Sequence, residues 1–252
     1  PALSPVTGAA AGPEMGQYYR GAVAVALGVS AVFLQPRAQN PTGVTLTKRR
    51  AAALATVLEG CDAVIVEDDH SGDIASGALH SLGAHLPQRV VHIRSYSKSH
   101  GPDLRLAAVG GAGAVVSGVS NRRLMGPGWS SRILQAVLLQ MLDHRPTIDA
   151  VAHARREYAH RRSSVTSVLS ERGVGFTGTD GINLWMHVAD ERSALITLAT
   201  QGIGAAPGEP FMVLDDSPSL RVTVGLIDHD LERIATTLAD AAGMAPARGG
   251  QR

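Results

Sequence analysis

Apolar residues in the first half of the chain form four short runs, and each run ends in polar or glycine-rich sequence. The runs cover residues 31–36 (AVFLQP), 61–69 (CDAVIVEDD), 89–97 (RVVHIRSYS) and 106–111 (LAAVGG). Near-continuous β-branched runs are typical of strands buried on both faces of a parallel sheet. Residues 47–60 predict a helix, because Thr47 can cap its start and Gly60 stands where helices commonly end. Strand alternating with helix predicts an α/β fold, with a mostly parallel sheet flanked by helices.

The pattern changes after Pro146, which we expect to separate an apolar helix from a long amphipathic one. Beyond them, shorter elements alternate as in a smaller α+β domain: a strand in GINLWMHV, a helix in ERSALITLATQG, a strand in SLRVTVG and a last helix over 228–242. We therefore predict a first domain over residues 1–145 and a smaller one over 146–252. The first 20 residues are rich in Ala, Gly and Pro and predict a loop.

Polar clusters follow three of the predicted strands, at residues 39–43 (QNPTG), 67–70 (EDDH) and 95–98 (SYSK). Parallel strands bring their carboxyl ends to one edge of the sheet, where ligands of α/β proteins bind. The last cluster contains Lys98, one of only two lysines in the chain with Lys48. A lysine in a water-poor crevice can have a lowered pKa and act as an amine nucleophile towards an aldehyde cofactor.

Pyridoxal phosphate (PLP) is such a cofactor, and it needs a carboxylate at its pyridine nitrogen, a donor at its ring hydroxyl and cations or amides at its phosphate. The sequence offers Asp68 for the first, Asn40 for the second, and Ser95 with Arg105 for the third. A further arginine, Arg221, can hold a substrate carboxylate with two hydrogen bonds.

Each candidate also has a purely structural interpretation. A turn lysine can simply be solvated, an asparagine before proline commonly opens a turn, and the carboxylate role can slip by one residue to Asp69. Arg105 can pair with Asp103, and Arg221 can lie on the surface of an edge strand.

The three clusters, extended to QNPTG, VEDDHSGD and SYSKSHGPDLRLA, resemble the signature blocks of the fold-type-I, PLP-dependent aminotransferases of class I and II. The resemblance is closest to the aminotransferase-like domain of MocR-type regulators of the GntR group, through RAQNPTG, REYAHRR, GINLW, APGEPF and LRVTVG. It covers most of the chain from about Ala31 to about Ile227. It implies an aspartate aminotransferase-like PLP-dependent transferase fold, with residues 1–145 as a partial large PLP-binding domain and 146–252 as the small domain.

The resemblance implies that Lys98 forms a Schiff base with PLP and moves a proton between the substrate and the cofactor. It gives other candidates roles in holding the cofactor or substrate: Asp68 at the pyridine nitrogen, Asn40 at the ring hydroxyl, Ser95 and Arg105 at the phosphate, and Arg221 at the substrate α-carboxylate. The family usually has a tyrosine just after the aspartate, and here His70 or Ser71 occupies that neighbourhood. We therefore expect His70 to contact the cofactor.

The resemblance also implies a longer N-terminal part, which supplies a phosphate-binding turn and a ring stacked on the cofactor. We therefore expect a chain truncated at its N-terminus, with no winged helix-turn-helix before it. A homodimer is implied as well.

Composition limits the other classes of function. Net charge is +1 and no basic tract occurs, so we expect no contact with nucleic acid. The single cysteine, Cys61, excludes an intrachain disulfide and favours a cytoplasmic location. The longest apolar run, residues 21–34, is shorter than the roughly 20 residues of a membrane-spanning helix. No Cys/His cluster predicts a metal site, and the glycine-rich stretch 110–118 lacks the strand-then-helix context of a dinucleotide site.

Two functions and one inactive state remain open. The chain is either a PLP-dependent aminotransferase that acts on an amino acid, or the effector domain of a MocR/GntR-type regulator that senses PLP and an amine without turnover. The third alternative is an inactive remnant that binds no cofactor.

Overall fold

The computed structural model describes residues 28–212 and 217–243. The predicted loop over residues 1–20 and the start of the apolar run at 21–27 lie outside this part of the chain. None of the helices in the described part is long and apolar enough to cross a membrane.

The chain divides into two compact units. Within the described residues, the first unit contains 28–37 and 45–156, and the second contains 38–44, 157–212 and 217–243. The segment 38–44, which carries the QNPTG motif, thus belongs to the second unit although its sequence neighbours belong to the first. The domain boundary near Pro146 stays a prediction.

The first unit contains a four-stranded sheet with the strand order β1-β2-β3-β4. Its strands are β1 (Ala31–Leu34), β2 (Val64–Asp69), β3 (Val90–Ser95) and β4 (Ala107–Gly111). β1, β2 and β3 are parallel, and β4 is antiparallel to β3. The short connection from β3 to β4 requires that direction, because parallel neighbours need a crossover of about a dozen residues or more. The prediction of a mostly parallel sheet is confirmed.

Helix α1 (Lys48–Leu58) covers this sheet and begins where the sequence predicts. Thr47 Oγ1 accepts a hydrogen bond from Arg50 N at 3.2 Å, which caps the helix. The helix ends at Leu58, just before the predicted Gly60. One face of α1 packs against the sheet and a nearby turn, forming a core of seven buried residues: Leu46, Ala51, Ala55, Leu58, Ile65, Leu82 and Val90.

Three more helices follow the sheet: α2 (Gly113–Leu124), α3 (Arg132–Asp143) and α4 (Arg145–Glu171). α2 was not predicted, and it begins two residues after β4. The expectation that stretch 110–118 lacks a strand-then-helix context is therefore wrong, although its strand is antiparallel and does not form a βαβ unit.

Pro146 does not separate α3 from α4, because it lies in the first turn of α4. Proline is tolerated there because its missing N–H is not needed for a helical hydrogen bond. The break between the two helices falls at His144.

The second unit contains an antiparallel sheet with the order β5-β6-β8-β7. Its strands are β5 (Phe176–Thr177), β6 (Asn183–His187), β7 (Ala206–Pro207) and β8 (Ser219–Thr223). Helices α5 (Glu191–Thr200) and α6 (Leu231–Ala242) pack on it. Leu184, Met186 and Leu220 are fully buried in the core between sheet and helices. The side chains of Asn183 and Trp185 on β6, and of Arg221 and Thr223 on β8, project from the opposite face of the sheet.

Candidate functional site

Asp68 and Asp69 end strand β2, and each is held by a residue that follows β1. Gln35 Nε2 donates to Asp68 Oδ2 at 3.1 Å. Arg37 forms two hydrogen bonds with Asp69, from Nε to Oδ1 at 3.1 Å and from Nη2 to Oδ2 at 2.5 Å. Asp69 is fully buried in this ion pair, whereas Asp68 is only half-buried. Because Arg37 already occupies Asp69, Asp68 is the better candidate for a carboxylate that binds a ligand.

Glu67, on the same strand, has a structural environment. Its buried carboxylate accepts hydrogen bonds from Ser81 Oγ at 2.7 Å, from Leu82 N at 2.6 Å and from His92 Nδ1 at 3.0 Å. A buried carboxylate with three donors is satisfied without a ligand. His92 is therefore a structural histidine.

His70 follows β2 directly, and it has one nitrogen with a partner and one without. Nε2 lies 3.2 Å from Ser71 Oγ, whereas Nδ1 is buried and has no hydrogen-bond partner within the described residues. Burial lowers the pKa of the imidazole, the charges of Asp68 and Asp69 oppose that shift, and the Lys98 ammonium adds to it. The ring is therefore neutral near pH 7, with a buried nitrogen that lacks a partner.

The turn after β2 packs against the turn after β3. Gly72 has a φ of +51°, and a Cβ at this position would lie 3.0 Å from the carbonyl oxygen of Ser95. Only glycine allows both the left-handed backbone and this close approach. Arg94 of β3 and Asp73 form an ion pair across the same two turns. Ser95 and His70 are thus brought to one edge of the sheet.

Lys98 lies in the turn after β3 and is exposed. This turn is closed by two hydrogen bonds, from His100 N to Tyr96 O at 2.8 Å and from Tyr96 N to Leu106 O at 3.2 Å. Arg105 lies in the same closed segment, is exposed and has a left-handed φ of +50°. The first unit therefore carries five candidate residues at the ends of β2 and β3 and in the segments that follow these strands: Asp68, His70, Ser95, Lys98 and Arg105.

Asn40 and Arg221 meet in the second unit. Arg221 Nη1 donates to Asn40 Oδ1 at 3.3 Å, and the guanidinium carbon lies 5.0 Å from the ring centroid of Phe211. Arg221 Nε is buried and has no partner in the described part of the chain. Arg221 is therefore oriented by an amide and an aromatic ring rather than by a carboxylate. The Asn40–Pro41 peptide bond is cis.

The segment that carries Asn40 is bound to the loop before β6. The carbonyl oxygen of Gly43 accepts from Thr179 N at 3.0 Å and from Asp180 N at 3.2 Å. Gly43 has a φ of +67°, and a Cβ there would lie 3.0 Å from the carbonyl oxygen of Asn183. These contacts fix the backbone of the segment 38–44 relative to β6.

Arg162 of α4 supports the same loop from the other side. Its guanidinium donates to the carbonyl oxygen of Gly181, with Nη2 at 2.6 Å, and also to that of Asn183. Burial lowers the pKa of Arg162 to about 10, and the nearby Asp180 partly opposes that shift. The arginine remains charged at neutral pH.

Four residues of these clusters had no assigned role in the sequence analysis: Gln35, Arg37, Asn183 and Phe211. RAQNPTG, GINLW and APGEPF marked three of them, Arg37, Asn183 and Phe211, as family-like without giving them a contact. Gln35 lies at the end of the first predicted strand and Arg37 directly after it, which was a usable signal.

The donor groups fit PLP and an amino acid. The first unit offers an amine, a carboxylate and a neutral imidazole with an unpartnered buried nitrogen. The second offers an amide beside an arginine whose buried Nε has no hydrogen-bond partner in the described ranges 28–212 and 217–243. Within the described residues, no group of three or more His, Cys, Asp or Glu side chains is arranged to hold a metal ion.

Comparison with known proteins agrees with this chemistry. The family model described as aminotransferase class I and II matches residues 25–238. The chain belongs to this family. Its curated relatives include proteins named as transcriptional regulators.

Two curated relatives illustrate the match. The vitamin B6 salvage pathway transcriptional repressor PtsJ of Salmonella typhimurium is 33% identical over 217 residues, which are 85% of this chain and 50% of the relative. The HTH-type transcriptional regulator TauR of Rhodobacter capsulatus is 31% identical over 186 residues, or 68% of this chain and 37% of the relative. The chain spans half or less of the length of these two relatives.

Solved structures of aminotransferases share the fold. A kynurenine aminotransferase from Pyrococcus horikoshii has a TM-score of 0.74 at 23% identity, over 85% of this chain and 56% of that one. Aspartate aminotransferase from Thermus thermophilus, solved with maleate, has a TM-score of 0.77 at 20% identity, over 89% of this chain and 60% of that one. The expected aspartate aminotransferase-like fold is confirmed.

Proposed function

We propose that the chain is a PLP-dependent aminotransferase acting on an amino acid through Lys98. The packing of the Lys98 turn against the turn after Asp68 carries this proposal. The close approach of Gly72 to Ser95, and the effect of the Lys98 and Asp68 charges on the pKa of His70, support a site in which an amine, a carboxylate and an imidazole act together. Family membership supports it independently.

Bound PLP supplies an electron sink for charge that develops at the substrate Cα. Lys98 would supply the amine that holds the cofactor's aldehyde group, and as a free amine it would accept and return a proton. Asp68 would hold the pyridine nitrogen in its charged form. His70 and Asn40 would contact the ring hydroxyl, and Ser95 and Arg105 would bind the phosphate.

Arg221 binds the substrate α-carboxylate in this proposal. Its guanidinium is already oriented by Asn40 and Phe211, so little side-chain entropy is lost on binding. Among the residues that the structure describes, none bonds its buried Nε, and an anion can supply that hydrogen-bond partner. The substrate class is therefore an amino acid or a related amine with a carboxylate.

A second candidate is favoured by the relatives. PtsJ and TauR are named as transcriptional regulators. In this alternative, the chain is the effector domain of a MocR/GntR-type regulator, and binding of PLP and an amine shifts its conformation without turnover. A homodimeric state and a cytoplasmic location stay predictions under both candidates.

The test of Lys98 uses the fact that the chain has only two lysines. Purified protein incubated with PLP is expected to gain a visible absorbance band and, after borohydride reduction, the mass of one reduced cofactor. Lys98→Ala should lose both signals. Lys48→Ala is the matched control and should keep them, because Lys48 is exposed at the start of α1.

Labelling that persists in Lys98→Ala would refute the assignment. The two candidate functions differ in the product. Release of an oxo acid from an added amino acid supports the aminotransferase, whereas a spectral change without oxo acid supports the effector domain.

A further inference from the structure

Asn183, Thr223 and Arg221 share one face of the second unit's sheet. Asn183 of β6 is directly opposite Thr223 of β8, and Trp185 is directly opposite Arg221. Directly opposed residues of antiparallel strands project to the same face, and so do residues two apart on one strand. Asn183, Thr223 and Arg221 therefore lie together on the face away from the fully buried core.

A continuous network of hydrogen bonds joins these residues to Asn40. Thr223 Oγ1 lies 3.1 Å from Asn183 Oδ1, Asn183 Nδ2 lies 3.2 Å from Asn40 Oδ1, and Arg221 Nη1 lies 3.3 Å from the same oxygen. Asn40 Oδ1 thus accepts two hydrogen bonds.

The chemistry of the donors fixes the direction of every hydrogen bond in this network. A guanidinium only donates, so the atom of Asn40 that faces Arg221 must be the oxygen. The atom of Asn183 that faces this oxygen must then be the nitrogen. The Asn183 oxygen consequently faces Thr223, whose hydroxyl donates to it. Nδ2 of Asn40 therefore points away from both Asn183 and Arg221.

We propose that Asn183 is a positioning residue that holds the Asn40 side chain in the orientation in which its amide nitrogen faces the ring hydroxyl of the cofactor. Thr223 sets the orientation of Asn183 in turn. This inference rests on the proposed function, which places Asn40 at that hydroxyl. The backbone of Asn183 is fixed independently by Arg162 and by the contact with Gly43. Replacing the Asn183 side chain therefore changes the hydrogen bond more than the fold.

The test measures the pH midpoint at which the absorbance of the bound cofactor changes. An amide donor at the ring oxygen favours the state that has lost its proton, so loss of the donor should raise the midpoint. Asn183→Asp cannot donate to Asn40 and should raise the midpoint by about one pH unit, a tenfold change in proton affinity. Thr223→Val should shift it in the same direction by a smaller amount. Thr223→Ser keeps the hydroxyl and should retain the midpoint of the unchanged protein.

If Asn183 acts through Asn40, then Asn183→Asp should cause no further shift of the pH midpoint in a protein that already carries Asn40→Ala. A shift that persists in that background overturns the proposal. So does an unshifted midpoint in both Asn183→Asp and Thr223→Val. Thr223→Val keeps the test decisive if Asn183→Asp does not fold. A merely structural role would lower the melting temperature of the cofactor-free protein and leave the midpoint unmoved.

The outcome separates this inference from the proposed function. A normal cofactor band with an unshifted midpoint refutes only the role of Asn183. Absence of the band from the unchanged protein refutes the function and, with it, this inference.

Discussion

At the scale of single residues, His70 has an environment that differs from that of an exposed histidine. Its Nδ1 is buried without a partner in the described part of the chain, and burial lowers its pKa below the usual 6.5 although two aspartates oppose that shift. The imidazole can therefore meet the cofactor as a neutral ring that donates or accepts a hydrogen bond. An ordinary tyrosine at this position would contribute only a phenol.

The lowered pKa of His70 predicts a pH dependence of stability. The unfolded chain binds the proton more tightly than the folded chain, so the contribution of His70 is complete above pH 6.5 and is lost as the pH falls from that value through the lowered pKa of the folded chain. His70→Gln should reduce the decline in the free energy of unfolding below pH 6.5, which for one proton is at most about 1.4 kcal/mol per pH unit. Urea unfolding at a series of pH values measures this decline.

His153→Gln is the control, because His153 lies exposed on α4. It should leave the decline unchanged. If the free energy of unfolding declines with equal slope below pH 6.5 in His70→Gln and in the unchanged protein, the pKa of His70 is not lowered.

At the scale of elements, Glu191 organises the segment that carries Phe211. Its carboxylate accepts hydrogen bonds from three backbone amides, those of Gly208 at 3.1 Å, Glu209 at 3.2 Å and Ser219 at 3.0 Å. One side chain at the start of α5 thereby fixes β7, the turn after it and the start of β8. Phe211, which stacks on Arg221, is held in place by this arrangement.

Glu191→Ala should lower the free energy of unfolding by about 1–3 kcal/mol, because it leaves amide donors without their charged acceptor. Glu191→Gln should lower it by less, since one oxygen remains. Denaturant unfolding followed by circular dichroism measures both changes.

Glu209→Ala is matched in chemistry and lies exposed in the same segment, so it should change stability by less than about 0.5 kcal/mol. Equal losses in Glu191→Ala and Glu209→Ala would mean that removal of charge, rather than of the amide contacts, destabilises the protein.

Elements could be predicted from the sequence where local signals were strong. Thr47 identified the start of α1, and continuous apolar runs identified β1 to β4. The direction of β4 could not be predicted, because an apolar run carries no information about which way it pairs. α2 was missed because glycine occupies its start, and β5 and β7 are too short to show a period.

Contacts within the candidate site were beyond prediction for a different reason. Gln35 bonds a residue 33 positions away, and Asn183 bonds one 143 positions away. Motifs identify which residues matter, but only the folded chain shows which oxygen faces which donor. The roles of Lys98, Asp68, Ser95 and Arg105 stay predictions, whereas the family and the fold are established.

At the scale of the whole molecule, the first unit exposes several large apolar side chains on and near α2 and α3. Met125 is 90% exposed, Trp129 79% and Ile133 77%. Exposed apolar residues of this size, close together in the chain, often mark a surface that another protein covers. The homodimer that the resemblance implies would use such a surface.

We expect the purified chain to have about twice the mass of one chain, and Ile133→Glu to weaken the dimer. A charge buried at an interface position typically costs 2 kcal/mol or more, which is roughly a thirtyfold weaker association. Sedimentation velocity over a concentration series measures the shift towards monomer. Ile196→Glu is the matched control, since Ile196 is 57% exposed but lies on α5 of the second unit. A chain that is monomeric at every concentration would contradict the dimer, and equal weakening by both substitutions would mean that the surface around α3 is not the one that is covered.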